Sequence, residues 1–431
     1  MRVKKPTTEN VISFILLFLA FFWGLNVCNL ASLFLVLIFC AITAKAVLLH
    51  DFRLTIPKSF VLLGFYFTTY SVFASLYADD ILQIFITYFF LPIFAVFSGY
   101  TLVRLKQKGY WNRTEYFTLL ISLGLATYGI LNIYQRYQQG YNTLTWVAAG
   151  RMSVDFWRGN EVWPTLQATY FLPIIGLLFY MIFISNGIIK KLLFIVGFIF
   201  SLITAFDIGS RTLIVLSAGI LLLYLLVYLK SHIVASKNKR NAIMVLLTLL
   251  VIFSIAFATN FAGIRASIME SSFVLRLTGG TKYDDVEGLL NIHGRDLRYK
   301  AIFEQMFTHL FGNIDLGSIE SGGLGSAHNT WLEIFRVAGV VPFVLFIGWT
   351  IHSLKVLIHL IRFNGLLNKE IAPPLVITIV ITIQFMTESM FTLNTHLMNV
   401  YFMLTGMLEA YYIEKGEELY ENNCNCSYEI K

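Results

Sequence analysis

The feature that most limits what this chain can become is an apolar stretch of about 18 to 23 residues that recurs along it. Each copy is long enough to cross the hydrocarbon core of a bilayer as a helix. These stretches fall at about 11–27, 30–49, 59–77, 81–103, 115–134, 166–186, 191–208, 212–230, 241–262, 337–359, 371–390 and 396–413. The expectation is an all-α polytopic membrane protein of about twelve transmembrane helices, with residues 1–431 forming a single membrane domain. The composition agrees with this. The chain is 57% hydrophobic and only 13% charged, with a mean hydropathy of +0.71, where a soluble protein would carry roughly a quarter charged residues.

The net charge of +7 would suit a nucleic-acid partner if it were gathered in one patch. Instead it is dealt out between spans, so no nucleic acid is expected. With the N-terminus inside, the cytoplasmic segments hold Arg53 and Lys58, then Arg104, Lys106, Lys108 and Arg113, then Lys190 and Lys191. Lys237, Lys239 and Arg240 follow, then Arg362 and Lys369. The short outer turns at 28–29, 78–80 and 391–395 carry no Lys or Arg. This positive-inside bias holds at every crossing and places both termini in the cytoplasm, with 414–431 as a cytoplasmic tail. Val11 to Val27 follows Arg2, Lys4 and Lys5 and reads as a start-transfer helix that stays in the protein. Of the four cysteines, Cys28 and Cys40 belong to the first hairpin. Cys424 and Cys426 lie in the tail, where thiols stay reduced, and a lone C-x-C makes a poor metal site.

Two outer segments depart from the bare turns. Residues 135–165, between the fifth and sixth spans, are rich in aromatic and basic side chains: Arg136, Tyr137, Trp146, Arg151, Phe156, Trp157, Arg158 and Trp163. Residues 263–329, between the ninth and tenth, make a loop of about 65 residues where a handful would connect. From Arg295 the spacing of Leu297, Ala301, Phe303, Met306, Phe307 and Leu310 predicts an amphipathic helix on the outer surface.

Three places carry residues suited to chemistry. Arg211 stands in Asp207-Ile208-Gly209-Ser210-Arg211-Thr212, between two apolar spans at the outer membrane face. An Arg at a span centre costs roughly 2.5–3.5 kcal/mol on insertion scales, so a retained one usually has a task. Anion binding is one reading; snorkelling, with Ser210 capping the next helix, is the other. His293-Gly294-Arg295-Asp296-Leu297-Arg298-Tyr299-Lys300 gathers cations on one helical stretch. It could clamp a phosphate or simply form a solvated face. In Ser321-Gly322-Gly323-Leu324-Gly325-Ser326-Ala327-His328-Asn329-Thr330-Trp331-Leu332-Glu333, a glycine-rich loop ends at a histidine where a helix begins. Thr330 with Glu333 fits a capping box, which gives Glu333 a structural reason. His328 has none, and it lies where free helix N–H groups favour an anion. Gln384 and Glu388, one turn apart on the eleventh span, are expected to bond a neighbouring helix, and Asp79 and Asp80 to make a simple outer turn. No H-E-x-x-H, Walker loop, G-x-S-x-G or D-x-D pair is present, which argues against nucleotide-driven chemistry.

Taken together these elements resemble the O-antigen ligase and polymerase superfamily of bacterial membrane glycosyltransferases. Gly209-Ser210-Arg211-Thr212 is similar to that family's S-R-T/A element, and Gly294-Arg295 followed by Gly312 to its G-R opening of the loop helix. His328-Asn329, then Gly339, is similar to its H-N-x-(Y/W)-L-x-x-x-x-x-x-G block. Arg151 with Asp155-Phe156-Trp157-Arg158-Gly159 resembles an outer segment of polymerase members, and Lys300 stands where an aromatic often follows the G-R element.

The resemblance implies a GT-C-like fold in the bacterial plasma membrane and an active site on the outer face. It implies undecaprenyl-diphosphate-linked glycans as donor and acceptor, and neither metal nor other cofactor. Arg211 and Arg295 would bind the diphosphate, with Arg298 as a substitute for Arg295, and guanidinium groups would stabilise the departing diphosphate. His328 would be the catalytic base, with Arg151, Arg158 and Asn329 as further substrate contacts. Partners would be membrane lipid, a chain-length regulator and a flippase. Two chemistries stay open: polymerisation of surface polysaccharide, O-antigen or capsule, and ligation of the glycan to another acceptor. Outside the family, a polysaccharide flippase or transporter and a non-catalytic assembly protein are the alternatives. The chain lacks the two related halves common in transporters.

Overall fold

The computed structural model describes residues 8–48, 56–107, 114–139, 153–162, 164–184, 211–231, 295–314, 326–363 and 365–428, with isolated positions between 240 and 269. The protein is an all-α membrane protein: almost all of the described chain is helical. Among the described residues four helices are long and apolar enough to cross a membrane. They are Ala31–Leu48, Ile81–Lys106, Thr114–Gln138 and Val340–Arg362, and shorter apolar helices accompany them. The expected spans 191–208 and 241–262 lie outside the described residues or are described only at isolated positions, as does most of 263–294.

The chain forms two compact units, residues 1–124 with 294–431, and residues 125–293. The first opens with α1 (Thr8–Leu25) and α2 (Ala31–Leu48), joined by a tight turn in which Asn26, Cys28 and Asn29 take positive φ. Asn26 Oδ1 accepts from Ala31 N at 3.2 Å, closing the turn. α3 (Lys58–Ser75) follows. Asp80 then caps α4 (Ile81–Phe85), its side chain accepting from Gln83 N at 2.9 Å. A π turn, Ile86–Phe90, joins α4 to α5 (Leu91–Gln107). α6 (Thr114–Gln138) runs on past the expected end of its span and carries Arg136 in its last turn, fully buried.

After α6 the first unit resumes with α9 (Arg295–Gln305), α10 (Thr330–Ala338), α11 (Val340–Arg362), α12 (Ala372–Gln384), α13 (Met390–Leu393) and α14 (Thr395–Tyr428). The expected tail at 414–431 is therefore largely the continuation of a 34-residue helix. α14 is the centre of this unit: Leu397, Val400, Tyr401, Met403, Leu404, Met407 and Ala410 are buried on every side of it. A helix apolar all round is one with neighbours all round. Lipid is as apolar as leucine, so close fit holds such helices together, and small residues let backbones approach. A Cβ on Gly99 of α5 would lie 1.8 Å from the Met403 carbonyl of α14, and one on Gly406 would lie 2.2 Å from the Val96 carbonyl. Gly24 of α1 and Gly124 of α6 make the same kind of reciprocal contact. Polar ties add specificity: Ser59 donates to Glu409 Oε1 at 2.7 Å, and His352 Nε2 lies 2.9 Å from Glu409 Oε2, linking α3, α11 and α14.

The second unit holds the end of α6, a small antiparallel hairpin of β1 (Ser153–Val154) and β2 (Glu161–Val162), α7 (Pro164–Ile184) and α8 (Arg211–Lys230). Buried Gln167 on α7 donates to the Gly129 carbonyl of α6 at 2.6 Å and accepts from Asn132 at 3.3 Å. The hairpin turn is fixed by Asp155, whose carboxylate accepts from Tyr128 OH at 2.6 Å and from the backbone N–H of Trp157 and Arg158.

Candidate functional site

The residues after Arg295 build a small folded cluster in the first unit. Ile302 of α9, Ile314, Ala327 and Phe335 of α10 are almost completely buried against one another, with Met306, Leu332 and Phe343 packed around them. Backbone bonds stitch the strip after α9 to the end of α10. Ile314 N donates to the Arg336 carbonyl at 3.0 Å, and Val340 N to the Leu310 carbonyl at 2.9 Å. Gly312 and Gly339 face these seams at φ of 89° and 84°. A Cβ on Gly312 would sit 2.4 Å from the Val337 carbonyl, and one on Gly339 2.2 Å from that of Leu310. Only glycine satisfies both the left-handed backbone and the missing space.

The amphipathic helix is shorter than expected. It ends at Gln305, and its inward face carries Arg298 and Ile302, while Phe303 and Phe307 are 54% and 83% exposed. Spacing alone gave no sign that Arg298 would be buried. Arg298 Nη1 donates to the Ser326 carbonyl at 3.2 Å, tying α9 to the loop two residues before His328.

The helix start also differs from the capping-box expectation. Asn329, not Thr330, is the N-cap, its Oδ1 accepting from Leu332 N at 3.1 Å. Thr330 is turned to other work: its hydroxyl donates to the Glu388 carbonyl at 2.6 Å and accepts from Met390 N at 3.1 Å, while its N–H donates to the Phe385 carbonyl. Glu333, freed from the box, is buried beneath the loop. Oε2 accepts from Ala327 N at 2.8 Å and from Arg336 Nε at 3.0 Å; Oε1 accepts from Arg336 Nη2 at 2.7 Å and from Thr392 at 3.2 Å. This paired, hydrogen-bonded carboxylate fixes the residue immediately before His328.

The predicted eleventh span, 371–390, is interrupted. α12 stops at Gln384, the chain turns through Phe385 to Ser389, and the four-residue α13 follows. Glu388 N still donates to the Gln384 carbonyl at 3.0 Å, so the residue stays one turn from Gln384. The turn carries it to His328, where Glu388 Oε2 lies 3.5 Å from His328 Nδ1. The carboxylate is almost fully buried, and the histidine keeps 29% of its side chain exposed. Nδ1 is the buried ring nitrogen, so the accessible edge is the one away from Glu388. His328 itself holds φ at 49°, a left-handed conformation uncommon outside glycine. The polar run Thr387-Glu388-Ser389 inside an apolar span was the sequence signal for this break.

The other candidates are placed as follows. Arg295 is the first residue of α9 and Arg211 the first residue of α8, in the second unit; for both, the described part is the backbone. The loop and motif positions Ser210, Arg151 and 315–325 lie outside the described residues. Arg158 is exposed on the hairpin turn of the second unit. Within the first unit, the structure brings together the helix opened by Arg295, the buried Arg298, and His328 with Asn329. Among the described residues no three His, Cys, Asp or Glu side chains gather as a metal site. No protein-family model matches this chain, and no curated protein matches it.

Proposed function

We propose that this protein is a membrane glycosyltransferase of the O-antigen ligase and polymerase kind, acting on the outer face of a bacterial plasma membrane. Its reaction would join undecaprenyl-diphosphate-linked oligosaccharide repeats into surface polysaccharide. The proposal carries with it about twelve spans in a GT-C-like arrangement and cytoplasmic termini.

The observation that carries it is the folding of two short motifs, far apart in sequence, into one cluster. The helix that begins at Arg295 packs through Ile302 against the His328-Asn329 block, and Gly312 and Gly339 form the seam between them. A partly exposed histidine in a left-handed backbone conformation sits at its rim. Backbone outliers of that kind cost about 1–3 kcal/mol and gather at active sites, because surrounding structure must hold them in place. Here the Thr330 and Glu333 bonds do the holding.

In the proposed reaction His328 Nε2 takes the proton of an acceptor sugar hydroxyl. The hydroxyl oxygen forms its bond to the anomeric carbon as the bond from that carbon to the diphosphate oxygen breaks, with inversion. The lipid diphosphate leaves with the electron pair, its charge stabilised by Arg295; the family resemblance assigns Arg211 the same role. Polymerisation is preferred to ligation on the Arg151–Gly159 segment.

The test is His328→Ala beside Arg211→Ala, each produced at normal level and scored by polymer length on the lipid carrier. Both variants are expected to leave single repeats. Long chains from His328→Ala would sink the catalytic assignment.

A further inference from the structure

We infer that Glu388 is a positioning residue for His328, which sets the imidazole with its proton on Nδ1 and leaves Nε2 as the reactive nitrogen; this rests on the transfer reading above. Three observations support it. The pair is 3.5 Å apart, an ion-pair distance somewhat beyond an ordinary N–H···O hydrogen bond, so a small closing movement on substrate binding completes the bond. The geometry is also one-sided: Nδ1 is buried towards the carboxylate, and the ring's exposure lies elsewhere. Finally, the two loops that carry the pair cannot drift apart freely. Thr330, two residues after His328, bonds the carbonyl of Glu388 itself at 2.6 Å, and its N–H bonds Phe385 at 2.8 Å.

A carboxylate behind an imidazole does two things for a base. It selects the tautomer whose far nitrogen carries a lone pair, and it favours the imidazolium that forms as the proton arrives. Among the described residues, the other charged groups of this cluster are bonded elsewhere. Glu333 is held by Arg336, Thr392 and the Ala327 N–H, and Arg298 Nη1 is directed at the Ser326 carbonyl.

The experiment uses the full chain in lipid bilayers with ¹⁵N-labelled histidine, the His328 signal being assigned by its loss in His328→Gln. In the unsubstituted protein His328 is expected to show a protonated Nδ1 and a lone pair on Nε2. Glu388→Leu, close in size and without an acceptor, should move the population towards the other tautomer and slow transfer by about 10²-fold. Glu388→Asp keeps the charge on a shorter arm and should fall between the two in both measurements; it preserves the test should the leucine variant fold poorly. A His328 tautomer that is the same with Glu, Asp and Leu at this position overturns the inference. A tautomer that responds while transfer does not would leave the pair standing and refute the transfer reading instead.

Discussion

Removing the Glu333 carboxylate should loosen the His328 loop and leave the rest of the first unit intact. In Glu333→Leu, Arg336 loses both bonds to that carboxylate, Ala327 N loses its acceptor, and the Thr392 hydroxyl keeps only the Ser389 carbonyl at 3.4 Å. Breaking a buried ion pair by removing one partner costs about 3–5 kcal/mol. Arg336 keeps 22% exposure and can turn part of its charge to water, so about 3 kcal/mol, the lower end, applies. At about 1.4 kcal/mol per factor of ten, amides protected by this cluster should exchange with solvent about 10²-fold faster.

Hydrogen exchange read by mass spectrometry on the full chain in lipid discs measures this directly. The informative amides are those of Ala327, Ile314 and Val340, the last two of which bond across the seam. Peptides from the α5–α14 core serve as an internal reference. Adding Arg336→Leu to the same chain should cost less than the sum of the two single changes, because no stranded guanidinium remains. Unchanged exchange over 326–340 in Glu333→Leu would refute the idea that this carboxylate holds the loop.

Gly339→Ala should destabilise the same cluster by about 3 kcal/mol, combining a left-handed backbone with a Cβ pressed on carbonyl atoms that cannot move aside. Its measure is faster exchange over 310–340 and loss of transfer at normal expression. Gly406→Leu should instead separate α14 from α5 and reduce the amount of protein that inserts, read as membrane-fraction yield. Cys28 and Cys40 are both exposed on the protein. Under the proposed topology only Cys28, in the turn between α1 and α2, should react from outside intact cells with a membrane-impermeant maleimide, since Cys40 would lie within the α2 span. Labelling of Cys28 only after permeabilisation would reverse the proposed topology.

Much of the class of this protein was written locally. Long apolar runs and few charges are properties of short windows, and bilayer thickness converts them into helices without reference to distant sequence. Hence α2, α3, α5, α6 and α11 fall where the runs predict. His328 also stood out by its position before a helix, and Asp80 fits the turn expected of it. What short windows could not convey is contact between distant segments. Arg298 faces inward because a carbonyl of the loop is there to receive it. Gly312 and Gly339 looked like motif letters until each was found against backbone next to the other, Gly312 at Val337 and Gly339 at Leu310 and Phe311.

Glu388 shows the division most clearly. Helical spacing paired it with Gln384, and hydropathy ran the span to 390. Bonds from Thr330, 58 residues away, to the chain that carries Glu388 instead make a break in the helix affordable. Free N–H and C=O groups in a membrane protein require partners from somewhere, and tertiary structure supplies them. The sequence by itself determined a membrane protein with a histidine worth testing; only the packing of its loops decided which carboxylate stands behind it.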